Sequence, residues 1–254
     1  MYIYCSIFIE QYKGVNSMRG QFLIGSNEMP GKGNVYADKS AIVLEWLLRE
    51  GINRENFSLR EIVKDCPVRI GLVQRVLKVL VLHGIVVAEG IRTSKKFAFI
   101  KSNLLLENWV REYSILKKCK LWTYRFPFQS KEEMISMLKK KKLDRKVAWA
   151  LHSAAEGHRC KNTNLQTTEL YLLEPSVREK VEKALQLKPQ ETGYEVLLIE
   201  PYYKSLLQLG KETYKEIKMS SVLLTFLDLY HFPLRGQEQA EFLAERKGMG
   251  YDRT

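Results

Sequence analysis

The sequence predicts an α+β fold, and three observations predict it. Between Ser40 and Ile100, three stretches of helical periodicity run into two β-prone segments around a charged, glycine-containing turn. Beyond Gly157, strand-like runs at Glu169–Leu173 and Tyr194–Ile199 are each followed by a proline and a helical or short connecting segment. The chain then closes with an apolar run at Val222–Leu229, a loop, and the helical pattern QEQAEFLAERKG.

The first helical run, Ala41–Gly51, carries Ile42, Val43, Trp46 and Leu47 at three- and four-residue spacing, a stripe that needs a partner. Asp38 or Ser40 suits its cap, and Gly51 suits the left-handed residue after its end. The second, Ser58–Asp65, opens with Ser58-x-x-Glu61, the pattern of a capping box, and Pro67 separates it from the third. In that third run, Val68–Gly84, Leu72, Val73, Val76, Leu77 and Leu80 form the inward stripe, and Gly84 is the stop. Ile85–Ala88 and Thr93–Ile100 read as strands around a turn at Glu89-Gly90. Helix, helix, helix, ribbon is the order of a winged helix-turn-helix, expected here over 38–101, ahead of a C-terminal mixed α/β domain with a small sheet.

Downstream, 102–120 reads as a linking helix with Leu105, Trp109 and Tyr113 on one side. Trp122–Phe128 contains Pro127 and reads as an edge strand or packed loop, its Trp122, Tyr124, Phe126 and Phe128 going to the core rather than stacking on bases. Lysine-rich Lys131–Lys142 and small-residue Arg145–Ala155 read as helices; the run Lys139–Lys142 is expected as a solvated helix end. The C-terminal domain takes in 121–248, with 249–254 as a tail and 1–37 as a flexible, glycine-rich arm.

Lysine and arginine number 41 against 29 aspartates and glutamates, a net charge of +12 that draws polyanions, with nucleic acid first. The four cysteines form no CxxC pair and read as reduced thiols of a cytoplasmic protein. His152, His158 and Cys160 fit no common zinc spacing and read as loop residues, so no metal ligand is assigned. The opening MYIYCSIFIE is too short to span a bilayer, and no membrane partner is expected. There is no glycine-rich phosphate loop, GxSxG or HExxH; no catalytic or cofactor-binding residue is assigned and no cofactor is implied.

The residues that carry chemistry lie on the third helix and the ribbon. Arg69, Gln74, Arg75 and Lys78 fall off the apolar stripe and are of the types that bond phosphates and purine edges. Gly71 leaves room for close approach to a groove, and Arg92, Lys95 and Lys96 sit where a wing meets phosphate. Such modules read paired half-sites, so double-stranded operator DNA with an inverted repeat, and a homodimer, are the expected partners.

The segment Ser220–Glu245, SSVLLTFLDLYHFPLRGQEQAEFLAE, resembles the ending of AbiEi-family antitoxins of type IV toxin–antitoxin systems, through Asp228, Arg235, Gly236, Glu238 and Ala240. Arg145–Arg159 resembles the small-residue segment early in their second domain. The resemblance implies a non-enzymatic, DNA-binding antitoxin that represses its own operon and opposes a nucleotidyltransferase-type toxin. Two alternatives stay open: a non-catalytic protein-interaction module, and a nuclease-like C-terminal domain, against which Glu200-Pro-Tyr-Tyr-Lys204 has the wrong spacing for metal-binding carboxylates. Asp228 and Arg235 read as a structural ion pair or cap rather than a catalytic pair.

Overall fold

The computed structural model describes residues 34–91, 94–127 and 130–251. Helix α1 spans Asp38–Arg49 and buries Ile42, Val43, Trp46 and Leu47. Neither Asp38 nor Ser40 caps it: Ala37 precedes the helix without a side-chain bond. The Asp38 carboxylate instead accepts from the backbone N–H and hydroxyl of Ser205, at 2.8 and 2.6 Å. Gly51 is not a left-handed stop either; it opens a 3-10 turn, Gly51–Asn53.

Helix α2 spans Leu59–Asp65, and its capping box is complete: Ser58 N–H donates to Glu61 at 2.7 Å, and Glu61 N–H donates back to Ser58 Oγ at 3.4 Å. Helix α3, Ile70–Leu82, buries Val73, Val76, Leu77 and Leu80, with Leu72 only half-buried. Gly84, at φ +63°, ends it in the left-handed region, where a side chain would be strained. Strands β1, Val86–Glu89, and β2, Lys96–Phe99, pair antiparallel with Val86 opposite Phe99 and Glu89 opposite Lys96. Phe57 adds a bridge to the ribbon's free edge through two 2.8 Å backbone bonds with Phe97.

Helix α4, Ser102–Glu112, and the short α5, Ile115–Lys118, replace one continuous helix. The break is at Tyr113, whose backbone is extended and whose buried hydroxyl donates to Asp228 at 2.7 Å. A tertiary bond here overrides helix propensity.

The sheet is larger than expected. Its seven strands are β3 (Lys120–Arg125), β4 (Val147–Trp149), β5 (Thr168–Leu172), β6 (Lys188–Pro189), β7 (Val196–Glu200), β8 (Thr213–Tyr214) and β9 (Ile217–Met219). They lie in the order β6-β3-β7-β5-β4-β9-β8, with β5∥β7 and β4∥β9 parallel and the other neighbours antiparallel. β3 is neither loop nor edge: it pairs with β7 along its length, while two-residue β6 covers its other side. Pro127 falls beyond the end of β3, so it removes no ladder bond.

Arg145–Ala155 is also not one helix. It is a 3-10 turn, Asp144–Lys146, then β4, then α7, Leu151–Gly157, which Leu151 opens at φ +45°. Val147, Ala148 and Trp149 are all buried, so both faces of the sheet are covered here, and such a short apolar run has no period to separate strand from helix.

The remaining helices are α6 (Lys131–Lys140), α8 (Arg178–Ala184), α9 (Lys204–Leu209), α10 (Val222–Tyr230) and α11 (Gly236–Lys247). Strand alternation divides the sheet's side chains between two cores. Val147, Trp149, Leu170, Leu172, Val196 and Leu198 pack with α6 and α8. Ala148, Tyr171, Leu197 and Ile199 join the other cluster, which runs through α4, α7, α10 and α11 into α1, α3 and the ribbon. The described residues from Val35 onward thus form one compact unit.

His152, His158 and Cys160, expected in a loop, are buried on and after α7. His158 Nε2 donates to the Ser220 carbonyl at 2.9 Å, and burial lowers the pKa of both histidines. Tyr124 is buried as expected, Trp122 and Phe126 are half-buried, and Phe128 lies outside the described residues. Among the described residues no helix is long and apolar enough to cross a membrane.

Candidate nucleic-acid interface

Helix α3 is held in place through its neighbours α1, α2 and the ribbon. Trp46 of α1 donates from Nε1 to Asp65 at the end of α2, at 3.0 Å, and packs edge-on against Phe57 at 5.2 Å between centroids. The Arg54 guanidinium lies 5.2 Å over the Trp46 ring and pairs with Glu61 and Asp65 at 3.4 and 3.7 Å. Phe57 stacks on Phe97 of β2 at 6.2 Å, which ties the ribbon to the same aromatic group. The outer face of α3 and the ribbon therefore keep a fixed relation.

Seven of the eight site residues named from sequence come together on that face. Arg69, Gly71, Gln74, Arg75, Lys78, Lys95 and Lys96 are all exposed; Arg92 lies outside the described residues. Arg69 is not on α3 but is the extended residue just before its first turn. Helical spacing stacks Ile70, Gln74 and Lys78 in one row and Gly71 and Arg75 in the next. The first row borders a groove of about 740 Å³ whose far wall is Arg60, Lys95 and Lys96. Lys95 Nζ rests 5.7 Å from the Phe97 ring centroid, which holds its ammonium beside the groove.

Among the described residues, Arg69, Arg75, Lys78, Lys95 and Lys96 form no ion pair. Some cations elsewhere are paired, Lys131 with Glu156 at 2.8 Å, Lys146 with Glu174 at 2.6 Å and Lys139 with Glu216 at 2.8 Å, whereas others such as Lys140, Lys180 and Lys188 are not. Exposed cations clustered beside a groove create a local field that attracts anions.

Two residues of this face were not singled out from sequence. Arg60 is exposed at the start of α2, and the capping box that fixes that start was the available signal. Ile70 is 49% exposed at the tip of α3, an apolar side chain where only polar ones were sought.

A second constellation lies in the C-terminal part. Asp228 on α10 is fully buried and accepts from the hydroxyls of Tyr113 and Tyr171, at 2.7 and 2.5 Å. Burial pushes its carboxyl up to about 7, against the two hydroxyl bonds that lower it. Arg235 does not reach Asp228; it forks onto Glu238, with Nε donating at 2.8 Å, and that bond lowers the Glu238 pKa. The expected ion pair or cap is thus two separate structures, one buried and one exposed. Gly236 between them has a physical reason: a Cβ there would collide with the Leu229 carbonyl oxygen. Ala240, one turn on, is fully buried. Glu200 and Lys204 pair with each other at 3.2 Å, and Lys120 also lies 3.2 Å from Glu200.

No curated protein matches the chain. No solved structure matches it either. The family model described as "Transcriptional regulator, AbiEi antitoxin, Type IV TA system" matches residues 98–248, which takes in β3 to β9, α4 to α11, Asp228 and the Arg235–Glu238 fork. That match covers more than half of the 254 residues, and the chain belongs to the AbiEi antitoxin family of type IV toxin–antitoxin systems.

Proposed function

We propose that this regulator is a DNA-binding antitoxin that represses its own operon. In this reading 38–101 is a winged helix-turn-helix, 102–120 the link, 121–248 the antitoxin-like domain, 1–37 an arm and 249–254 a tail. Helix α3 lies in the major groove, where Gln74, Arg75 and Lys78 meet base edges and Gly71 allows close approach. Arg69 holds phosphate at the helix start, and Arg92, Lys95 and Lys96 track phosphate along the wing.

The observation that supports the reading is the exposed face of α3 and the ribbon, where Arg69, Arg75, Lys78, Lys95 and Lys96 gather around a groove at one helix, in a family described as transcriptional regulators. Two copies reading an inverted repeat on double-stranded DNA accord with the module's usual geometry. The family description supports a role against a toxin; the toxin in this reading is of the nucleotidyltransferase type, and the regulator is cytoplasmic and non-enzymatic.

The test is retention of the DNA upstream of the protein's own gene in a gel shift, across a salt series. Wild type is expected to retain it with steep salt dependence, and Arg69→Ala, Arg75→Ala and Lys78→Ala together are expected to abolish retention. Retention that survives the triple change overturns the assignment of α3. For the toxin, co-expression with the neighbouring gene is expected to restore growth; failure of rescue removes the antitoxin half alone.

A further inference from the structure

A second cleft flanks α3 on the side away from the wing. Its volume is about 970 Å³, and Lys39, Arg69, Arg75 and Gly71 line it with Ser205 and Gln208 of α9. Helix α9 belongs to the segment after β7, outside the three-helix and ribbon unit, so the cleft joins the two parts of the chain. Lys39 and Gln208 are exposed or half-exposed at its rim, beside the exposed Arg69 and Arg75.

The far wall is fixed rather than draped. Asp38 holds Ser205 by two hydrogen bonds, at 2.8 and 2.6 Å, one turn before Gln208. Beside it, the Tyr203 hydroxyl donates to the Tyr36 carbonyl at 2.9 Å and accepts from Trp109 at 2.7 Å. Among the described residues Lys39, Arg69 and Arg75 form no ion pair, and the Asp38 carboxylate is turned to Ser205.

A helix seated in the major groove, about 12 Å wide, has a phosphate backbone on each side. In the proposed function one of them is met by the wing groove, which Arg60, Lys95 and Lys96 line. The other backbone falls on the α9 side. We infer that the cleft between α3 and α9 is a second phosphodiester-binding wall, in which Lys39 and Gln208 grip the DNA strand opposite to the one held by the wing. This rests on the reading of α3 as the DNA-contacting helix. Lys39 supplies charge, Gln208 supplies a neutral amide donor, and the C-terminal part thereby contributes directly to operator affinity without reading sequence.

The full-length protein tests it, with the upstream fragment and a scrambled fragment of equal length as probes. Lys39→Ala is expected to weaken both complexes on the order of three- to tenfold and to reduce the slope of log K against log salt by about 1. Gln208→Glu, which sets a carboxylate against the backbone, is expected to weaken both by at least as much. Lys180→Ala, an exposed lysine on α8, serves as the control and is expected to match wild type. Melting temperatures are read alongside, so that loss of fold is not taken for loss of contact. If Gln74→Ala and Lys78→Ala lose binding while Lys39→Ala and Gln208→Glu keep wild-type affinity and slope, the second wall is overturned and the α3 reading stands. Wild type without affinity for either fragment overturns both.

Discussion

The hydroxyl of Tyr113 donates to the carboxylate of Asp228 at 2.7 Å, across 115 residues of sequence. Tyr171 of β5 donates to the other oxygen, so three separate segments meet on one fully buried acid. The break between α4 and α5 and the placement of α10 on the sheet share this point.

The raised pKa of Asp228 makes a signed prediction. A carboxyl at about 7 when folded and about 3.9 when unfolded stabilises the fold fully only below the unfolded value. That contribution is lost as pH rises from about 4 through about 7. Asp228→Asn stays neutral, so the difference in melting temperature between variant and wild type is expected to shift in the variant's favour as pH rises from 4 to 8. A difference that stays flat over that range would show that Asp228 does not titrate there. Asp228→Ala removes the acceptor of two buried hydroxyls, of which Tyr113 keeps only the Cys119 thiol at 3.6 Å, and is expected to destabilise by about 2–4 kcal/mol at pH 7.

Gly71 separates folding from binding. A Cβ at this exposed position meets nothing within 4 Å of the protein, so the chain itself has no need of glycine. Gly71→Ala is expected to stabilise the fold by about 0.5–1 kcal/mol and to weaken operator binding. Denaturant melts and gel shifts on the same preparation read the two effects; improved stability with unchanged affinity would mean that no DNA approaches there.

Ile70 calls for a specificity measurement. Its exposed side chain at the tip of α3 is suited to a thymine methyl. Ile70→Ala is expected to cost about 1–3 kcal/mol on the preferred site and to relax preference at a single base pair. Selection from a randomised library would expose a uniform loss across positions, which a single methyl contact does not produce.

Gly236→Ala forces a methyl toward the Leu229 carbonyl oxygen and the Phe232 side chain. Overpacking of this kind costs about 1–3 kcal/mol, and thermal unfolding is expected to shift down accordingly. Glu238→Gln at the exposed fork is expected to leave the melting temperature nearly unchanged. The pair of results would separate the buried reason for the Arg-Gly turn from the visible salt bridge.

The sequence was most legible where local chemistry decides. The Ser58–Glu61 box, the stop at Gly84, the turn at Gly90 and the inward stripe of α3 each depend on residues within a turn or two. It was least legible where distant partners decide. β4 is three buried residues made a strand by β5 and β9, and β6, β8 and β9 are two or three residues long, below the reach of any period. Asp38 has a residue type suited to capping its own helix, yet its carboxylate goes to Ser205. The exposure of Gln74, Arg75 and Lys78 was readable because they fall outside the α3 stripe, whereas Lys39 and Gln208 are brought together only by the fold.

The apolar cluster that runs from Ala41 to Ala244 has a consequence for dosage. Because α1, α3 and the ribbon share their interior with α10 and α11, a protease that opens one part exposes the other. Under the proposed function, loss of the molecule would remove operator occupancy and toxin opposition together, with no surviving fragment to keep the promoter shut after its antidote is gone. For a regulator of the proposed kind, synthesis resumes at the moment supply falls.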